Sequence, residues 1–244
     1  MNYEKYSITY NGKNIDQLLP GYRTANVEGR GLLAPTLDVI DIDGRDGNYV
    51  ISQKYRPRDI VVHFVVKASN NEERLDIIDK LDTILRTNED VIFSFADQEG
   101  YWLGRYSASE EDIAYDYFQG QGFYTLHCQN PYRHMPLLTY TTNPTIINSD
   151  FYKKLELEEL SVTVSSTSEV RVTNSRTGDM ISLKNLPRLG ALMINRKEIT
   201  LDGENIVHLL DESVSTWKGF SVESGDMIRV TGATSPILNI RRYL

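Results

Sequence analysis

One stretch of this chain carries a helical period, and nearly everything around it carries a period of two. "SNNEERLDIIDKLDTILRT" (69–87) opens on Ser69 and has Glu72 three residues later, a capping-box spacing. Leu75, Ile78, Leu81, Ile84 and Leu85 then recur at helical intervals, flanked by Ile77. Before it stands "DIVVHFVVKA" (59–68), a near-continuous apolar run of the kind found in strands buried on both faces; after it stands "DVIFSFAD" (90–97). A single amphipathic helix between strongly apolar strands constrains the chain to a mainly β fold in which that helix covers one face of a sheet.

The remaining strand signals support this. "YSITY" (6–10) alternates and ends at Asn11-Gly12, a dipeptide that favours a tight turn. "TLDVIDID" (36–43), "YWLGRYS" (101–107), "DIAYDYF" (112–118) and "GFYTLHC" (122–128) read as strands separated by Gly-rich or acidic turns. Pro131, Pro136 and Pro144 then interrupt regular structure and place a boundary near 131–137. Beyond it, short strands are expected at 160–166, 169–175, 179–183, 191–195, 198–202, 205–210, 219–224, 226–232 and 236–242, with Thr177-Gly178, Asp202-Gly203 and Ser224-Gly225 as turns. Close spacing of short strands indicates a β-sandwich. The expected fold class is therefore mainly β with two β-sandwich-type domains, residues 1–133 and 134–244, the first carrying one helix.

Charge narrows the function. The formal net charge is -8 and the pI about 5.1, so sequence-independent or specific nucleic-acid binding is not expected. Residues 1–133 hold 14 Lys and Arg against 21 Asp and Glu, whereas residues 134–244 hold 12 against 13. The one cysteine, Cys128, forms no intramolecular disulfide and reads as a small core hydrophobe. The polar start lacks a basic segment followed by an apolar run, and no stretch approaches a membrane span, so neither a secretory signal nor a membrane partner is expected.

No motif for chemistry survives inspection. "DIDGRDGNYV" (41–50) is rich in Asp and Gly, but Arg45 occupies the fifth position of a calcium loop, Asp46 the sixth and Ser52 the twelfth. The strand-like "NYVISQKY" behind the glycines supplies no helix N-terminus for a phosphate. The stretch reads instead as a hairpin tip, with Gly44 and Gly47 at positive φ. "GRGLLA" (29–34) matches Gly-x-Gly-x-x-Ala without a preceding apolar strand and reads as a loop. His63, His127, His134 and His208 lack metal spacing, and His63 reads as a core residue. The carboxylate groups Asp97 with Glu99, and Glu110 with Glu111 and Asp112, are the only support for a glycosidase, and 34 acids produce such neighbours by chance. No catalytic residue, metal ligand or cofactor is expected.

"HCQNPYR" (127–133) is similar to the His-x-Asn-Pro-Arg sugar-binding string of galectins, but Tyr132 is inserted before the arginine. Trp217 is the candidate sugar-stacking residue of the second domain. A carbohydrate-binding protein recognising host cell-wall sugar is accordingly the alternative reading.

In order, "DIDGRDGNYV", "YRPRDIVVHFVV", the helix, "DVIFSFADQEGYWLGRYS" and "GQGFYTLHCQNPYR" resemble the distal tail proteins of long-tailed bacteriophages. "EVRVTNSRTGDMISL" and "VESGDMIRVTG" are similar to the galectin-like C-terminal domain of that family. The resemblance implies a homohexameric ring at the virion tail tip, assembled in the host cytoplasm, single or doubled. It also implies a major tail tube protein above, a tail-associated hub protein below, receptor-binding or baseplate proteins at the periphery, and a channel for DNA. Tyr101, Tyr106, Tyr115, Tyr117 and Tyr124 are candidates for subunit contacts or for the core.

Overall fold

The computed structural model describes residues 6–113, 119–149 and 154–244. The expected strand 112–118, with Tyr115 and Tyr117, falls largely outside them. The chain divides into two compact units, Met1–Arg133 and His134–Leu244.

The first unit holds β1 (Ile8–Tyr10), β2 (Lys13–Asn14), β3 (Tyr22–Glu28), β4 (Thr36–Asp41), β5 (Asn48–Lys54), β6 (Arg58–Lys67), β7 (Val91–Phe95), β8 (Trp102–Ile113) and β9 (Gln119–Cys128). Two helices, α1 (Ile15–Leu18) and α2 (Asn71–Leu85), complete it. Seven strands form one antiparallel sheet in the order β2-β1-β7-β8-β9-β6-β3. The sheet curls until its two sides are strapped by one carboxylate. Asp16 accepts from Ile8 N on β1 at 3.2 Å and from Thr24 N on β3 at 2.7 Å. The concave face closes on Ile60, Val62, Phe64, Phe93, Trp102, Tyr124, Leu126 and other buried apolar side chains.

Helix α2 covers that core, though not along the expected stripe. Ile77, Leu81 and Leu85 are buried with Arg74, while Leu75 points outward at 46% exposure. A row at i, i+3, i+7 and i+11 faces the sheet, and Leu75 falls about 100° away from Arg74 around the axis. The cap is also shifted by one residue. Asn70 Oδ1 accepts from Glu73 N at 2.8 Å, and Glu73 Oε2 reaches back to Ser69 N at 2.6 Å. The acidic run at 110–112 is not a turn: β8 continues through it, with a bulge between Tyr106 and Ala108, because β9 supplies partners along its whole length.

The second unit packs two sheets face to face. Its strands are β10 (Leu138–Tyr140), β11 (Thr145–Ile146), β12 (Lys154–Val164), β13 (Glu169–Asn174), β14 (Met180–Lys184), β15 (Ala191–Asn195), β16 (Ile199–Leu201), β17 (Glu204–Asn205), β18 (Met227–Thr231) and β19 (Ala233–Tyr243). One sheet runs β10-β19-β12-β15-β16-β17 and the other β11-β18-β13-β14. Leu157, Leu160, Val172, Leu183, Ile194, Ile199 and Ile240 are among the apolar side chains buried between them. Two expected strands are not strands over most of their length: 205–210 holds a 3-10 turn at Val207–Leu209, and 219–224 is irregular behind a 3-10 turn at Trp217–Gly219. Pairing in these segments is reduced to the short β17 at Glu204–Asn205 and to single bridges, Leu210 with Leu183 and Val222 with Leu155.

At one end of the second sheet a polar knot ties two neighbouring strands. Asp226 is fully buried and accepts from Asn174 Nδ2 at 2.6 Å, from Glu223 N at 2.8 Å and from the Arg176 guanidinium. It ties the end of β13 to the turn entering β18.

Candidate assembly interface

Strands β4 and β5 belong to neither sheet. They pair only with each other, Val39 against Val50 and Ile40 against Tyr49, and form a two-stranded arm. An isolated hairpin is marginally stable in water. Native proteins seldom leave such an edge and such side chains bare unless something covers them. Here Leu37, Val39, Ile40, Ile42, Tyr49, Val50, Ile51 and Tyr55 are all exposed, Tyr49 and Ile51 at 60%. Apolar groups lie on both faces of the ribbon: Val39 and Ile40 are adjacent on β4 and so face opposite sides, and a bulge leaves Ile51 on β5 unpaired in the ladder.

The tip of the arm is the Asp-rich stretch. Gly44 and Gly47 take φ of +80° and +82°, the left-handed region that the turn requires. Asp41, Asp43 and Asp46 are solvent-exposed around Arg45. Among the described residues no three or more His, Cys, Asp or Glu side chains come together as a metal-ligand set.

The root of the arm, by contrast, is fixed at both strands. Ahead of β4, Arg30 meets Asp97 in a two-pronged pair, Nη1 to Oδ1 at 2.6 Å and Nη2 to Oδ2 at 3.0 Å, with its guanidinium 4.7 Å from the Phe95 ring centre. Behind β5, Arg58 Nη2 donates to Gly31 O at 3.3 Å, and Tyr55 meets Tyr132 edge to face. The "GRGLLA" loop and the "YRPR" segment thus hold a rigid socket from which the arm projects. Replacing Arg30 by alanine strands the nearly buried Asp97 carboxylate; the expected cost is about 2–3 kcal/mol, with faster proteolysis at the arm root. Limited proteolysis beside urea denaturation measures both.

The other sequence candidates fall as follows. Cys128 is core, and burial pushes its thiol up to about 12, which removes thiolate chemistry near neutrality. His63 is not core: it is half-exposed on the outer face of the sheet, with Nε2 3.1 Å from Glu28 Oε1. His127, paired in register with Asp59, sits 2.7 Å from its carboxylate. Tyr124 is buried, its hydroxyl 3.2 Å from that of Tyr22, and burial raises its pKa well above the usual tyrosine range. Tyr101 and Tyr106 are half-buried. In the second unit Trp217 is half-buried against the core, and its indole N–H donates to Asn195 O at 2.7 Å. Asn130, from the galectin-like string, accepts from Tyr132 N at the end of the first unit.

Among curated proteins none shows significant sequence similarity to this chain. Residues 4–126 match the family model described as the phage tail protein RIFT-related domain. The whole chain superposes on the Dit protein of phage SPP1, described as a paradigm of the hub adsorption apparatus in phages infecting Gram-positive hosts. The TM-score is 0.82 at 17% identity, covering 98% of this chain and 99% of that one. Chains of the phage P2 baseplate in its activated conformation, solved with Ca and with Sr, match at TM-scores of 0.59 and 0.58, 11% identity and 97% of each chain.

Proposed function

Because this chain belongs to the phage tail protein family with the RIFT-related domain, we propose that it is a distal tail protein: a structural ring hub at the virion tail tip that carries out no catalysis. The observation that carries the reading is the bare apolar arm on a rigid root. A monomer gains nothing from such a ribbon, whereas a subunit of an assembly buries it. The agreement in fold with Dit over both units supports the same reading.

In this reading six copies close into a ring through their first units. The ring joins the tail tube protein on one side to the tail-associated hub protein on the other. The second unit carries receptor-binding or baseplate proteins, and DNA passes through the centre. The acidity concentrated in residues 1–133 suits a wall past which DNA slides, since like charge removes the counterion-release gain of binding.

The test is reconstitution. Purified chain mixed with the tube protein is expected to cap tubes at one end, as seen by electron microscopy, and the capped end to recruit the hub protein. Tubes that grow with both ends bare contradict the reading.

A further inference from the structure

Helix α2 does not seal the sheet on its β8 side. Its buried row is Arg74, Ile77, Leu81 and Leu85. Ile78 and Asp82 each stand one residue further round, about 100° away, with Asp79 beyond them. Between that flank and β8 lies a cleft of about 260 Å³. Its floor is apolar and largely aromatic: Phe64, Leu81, Leu85 and Tyr124, all buried. Phe64 leans into the space that Gly122 leaves, where a Cβ would stand 2.9 Å from the Phe64 Cζ, and this keeps the floor deep. The opposite wall is Tyr106. The bulge after it puts Ser109 in register with Tyr124, and the Tyr106 hydroxyl meets Ser109 Oγ at 2.6 Å, which fixes the ring beside the mouth.

The rim is acidic. Asp79 is exposed and has no cationic partner among the described residues, since the adjacent Lys80 is taken by Asp76 at 2.6 Å. Asp82 meets Arg86 at 2.8 Å, but that arginine is largely in water, and an exposed pair of this kind exchanges at little cost. Asp79 and Asp82 are three residues apart and so neighbours on the helix surface.

The volume lies below the range of drug-sized pockets and suits one bulky side chain. A dry aromatic floor takes an apolar body, and a carboxylate rim takes a positive charge just outside it. This is the layout of an interface anchor, with an apolar centre and a charged margin. Residues 1–133 carry 21 acids against 14 bases, so a second copy of this chain brings like charge to the rim, whereas a basic partner is drawn to it.

Resting on the distal tail reading, we propose that the cleft between α2 and β8 is the docking seat for a different tail protein. That partner presents a bulky apolar side chain flanked by a lysine or arginine. The apolar group enters between Leu85 and Tyr106, and the cation stays at the mouth on Asp79 and Asp82.

Two phenyl amphiphiles of opposite charge test the seat on the full chain by saturation-transfer NMR, with circular dichroism to verify folding of each variant. Phenethylamine is expected to bind through its ring about 10-fold more tightly than hydrocinnamate. Asp79→Asn with Asp82→Asn is expected to erase that preference, and Ser109→Trp, which fills the cleft, to erase binding of both. The same variants are expected to lower affinity for the purified tube or hub protein about 100-fold, read by biolayer interferometry, while the particle formed by this chain alone keeps its mass. Equal binding of the two amphiphiles, or variants that hold both tail proteins as tightly as the native chain does, overturns the seat while leaving the hub reading in place. Loss of self-assembly in the variants does the same, because it assigns the cleft to another copy of this chain. A native chain that binds neither tail protein overturns both.

Discussion

Replacing Ile40, Tyr49 and Ile51 together by serine is expected to leave both units folded and to weaken self-association about 1,000-fold. The three side chains are 47%, 60% and 60% exposed, so the free subunit loses little when they are cut back. In the assembled state each completes its burial. Fully burying such a side chain contributes about 1.5–3 kcal/mol, and roughly half of that area is still open here. Three of them supply about 4 kcal/mol at each contact, or roughly three decades in dissociation constant. Concentration-dependent sedimentation measures the shift. Unchanged association of the triple variant would remove the arm from the interface.

Asp226→Ala is expected to destabilise the second unit by about 1–3 kcal/mol while leaving the first untouched. The substitution deprives the buried Asn174 amide and the Glu223 N–H of their acceptor, while Arg176, half-exposed, regains water. The two tryptophans make the result legible, since Trp102 lies in the core of the first unit and Trp217 against that of the second. A Trp102→Phe background isolates the second transition in urea. A loss below about 1 kcal/mol contradicts the structural role.

The same carboxylate sets a pH dependence. Burial alone pushes Asp226 up, but the bonds from Arg176, Glu223 and Asn174 outweigh it and hold the group below the usual carboxylate range. Its folded pKa is thus lower than its unfolded one. The stabilisation is full above about pH 4, the unfolded value, and is lost as pH falls through the depressed folded value. The second unit should open on acidification by Trp217 fluorescence, and Asp226→Ala should flatten that part of the profile.

How far the sequence carried differs from feature to feature. Alternation exposed most strands, and Asn11-Gly12 and the Gly44 to Gly47 turn were legible because positive φ leaves a compositional mark. The arm was legible as strand and turn but not as an arm. A half-buried strand and a bare one share the same period, and only tertiary structure shows that Leu37 and Val39 stay about half exposed. The helix is legible in its period but its buried row is not, since Arg74 fills an inward position that a hydrophobic count skips. Arg30 with Asp97, and Asn174 with Asp226, are 67 and 52 residues apart. Pairs that distant leave no local spacing, so neither socket nor knot could be read from the chain. The 3-10 turns mislead for the opposite reason: "NIVHLL" has strand composition, but only its ends pair, Asn205 with Thr200 and Leu210 with Leu183, and Val207–Leu209 turns between them.

A distal tail subunit has to close on copies of itself. Native mass spectrometry of the purified full chain measures that directly. A dominant particle of six copies, or of twelve if two rings stack, is the predicted result. A distribution confined to single chains, unchanged when tube and hub proteins are added, contradicts it.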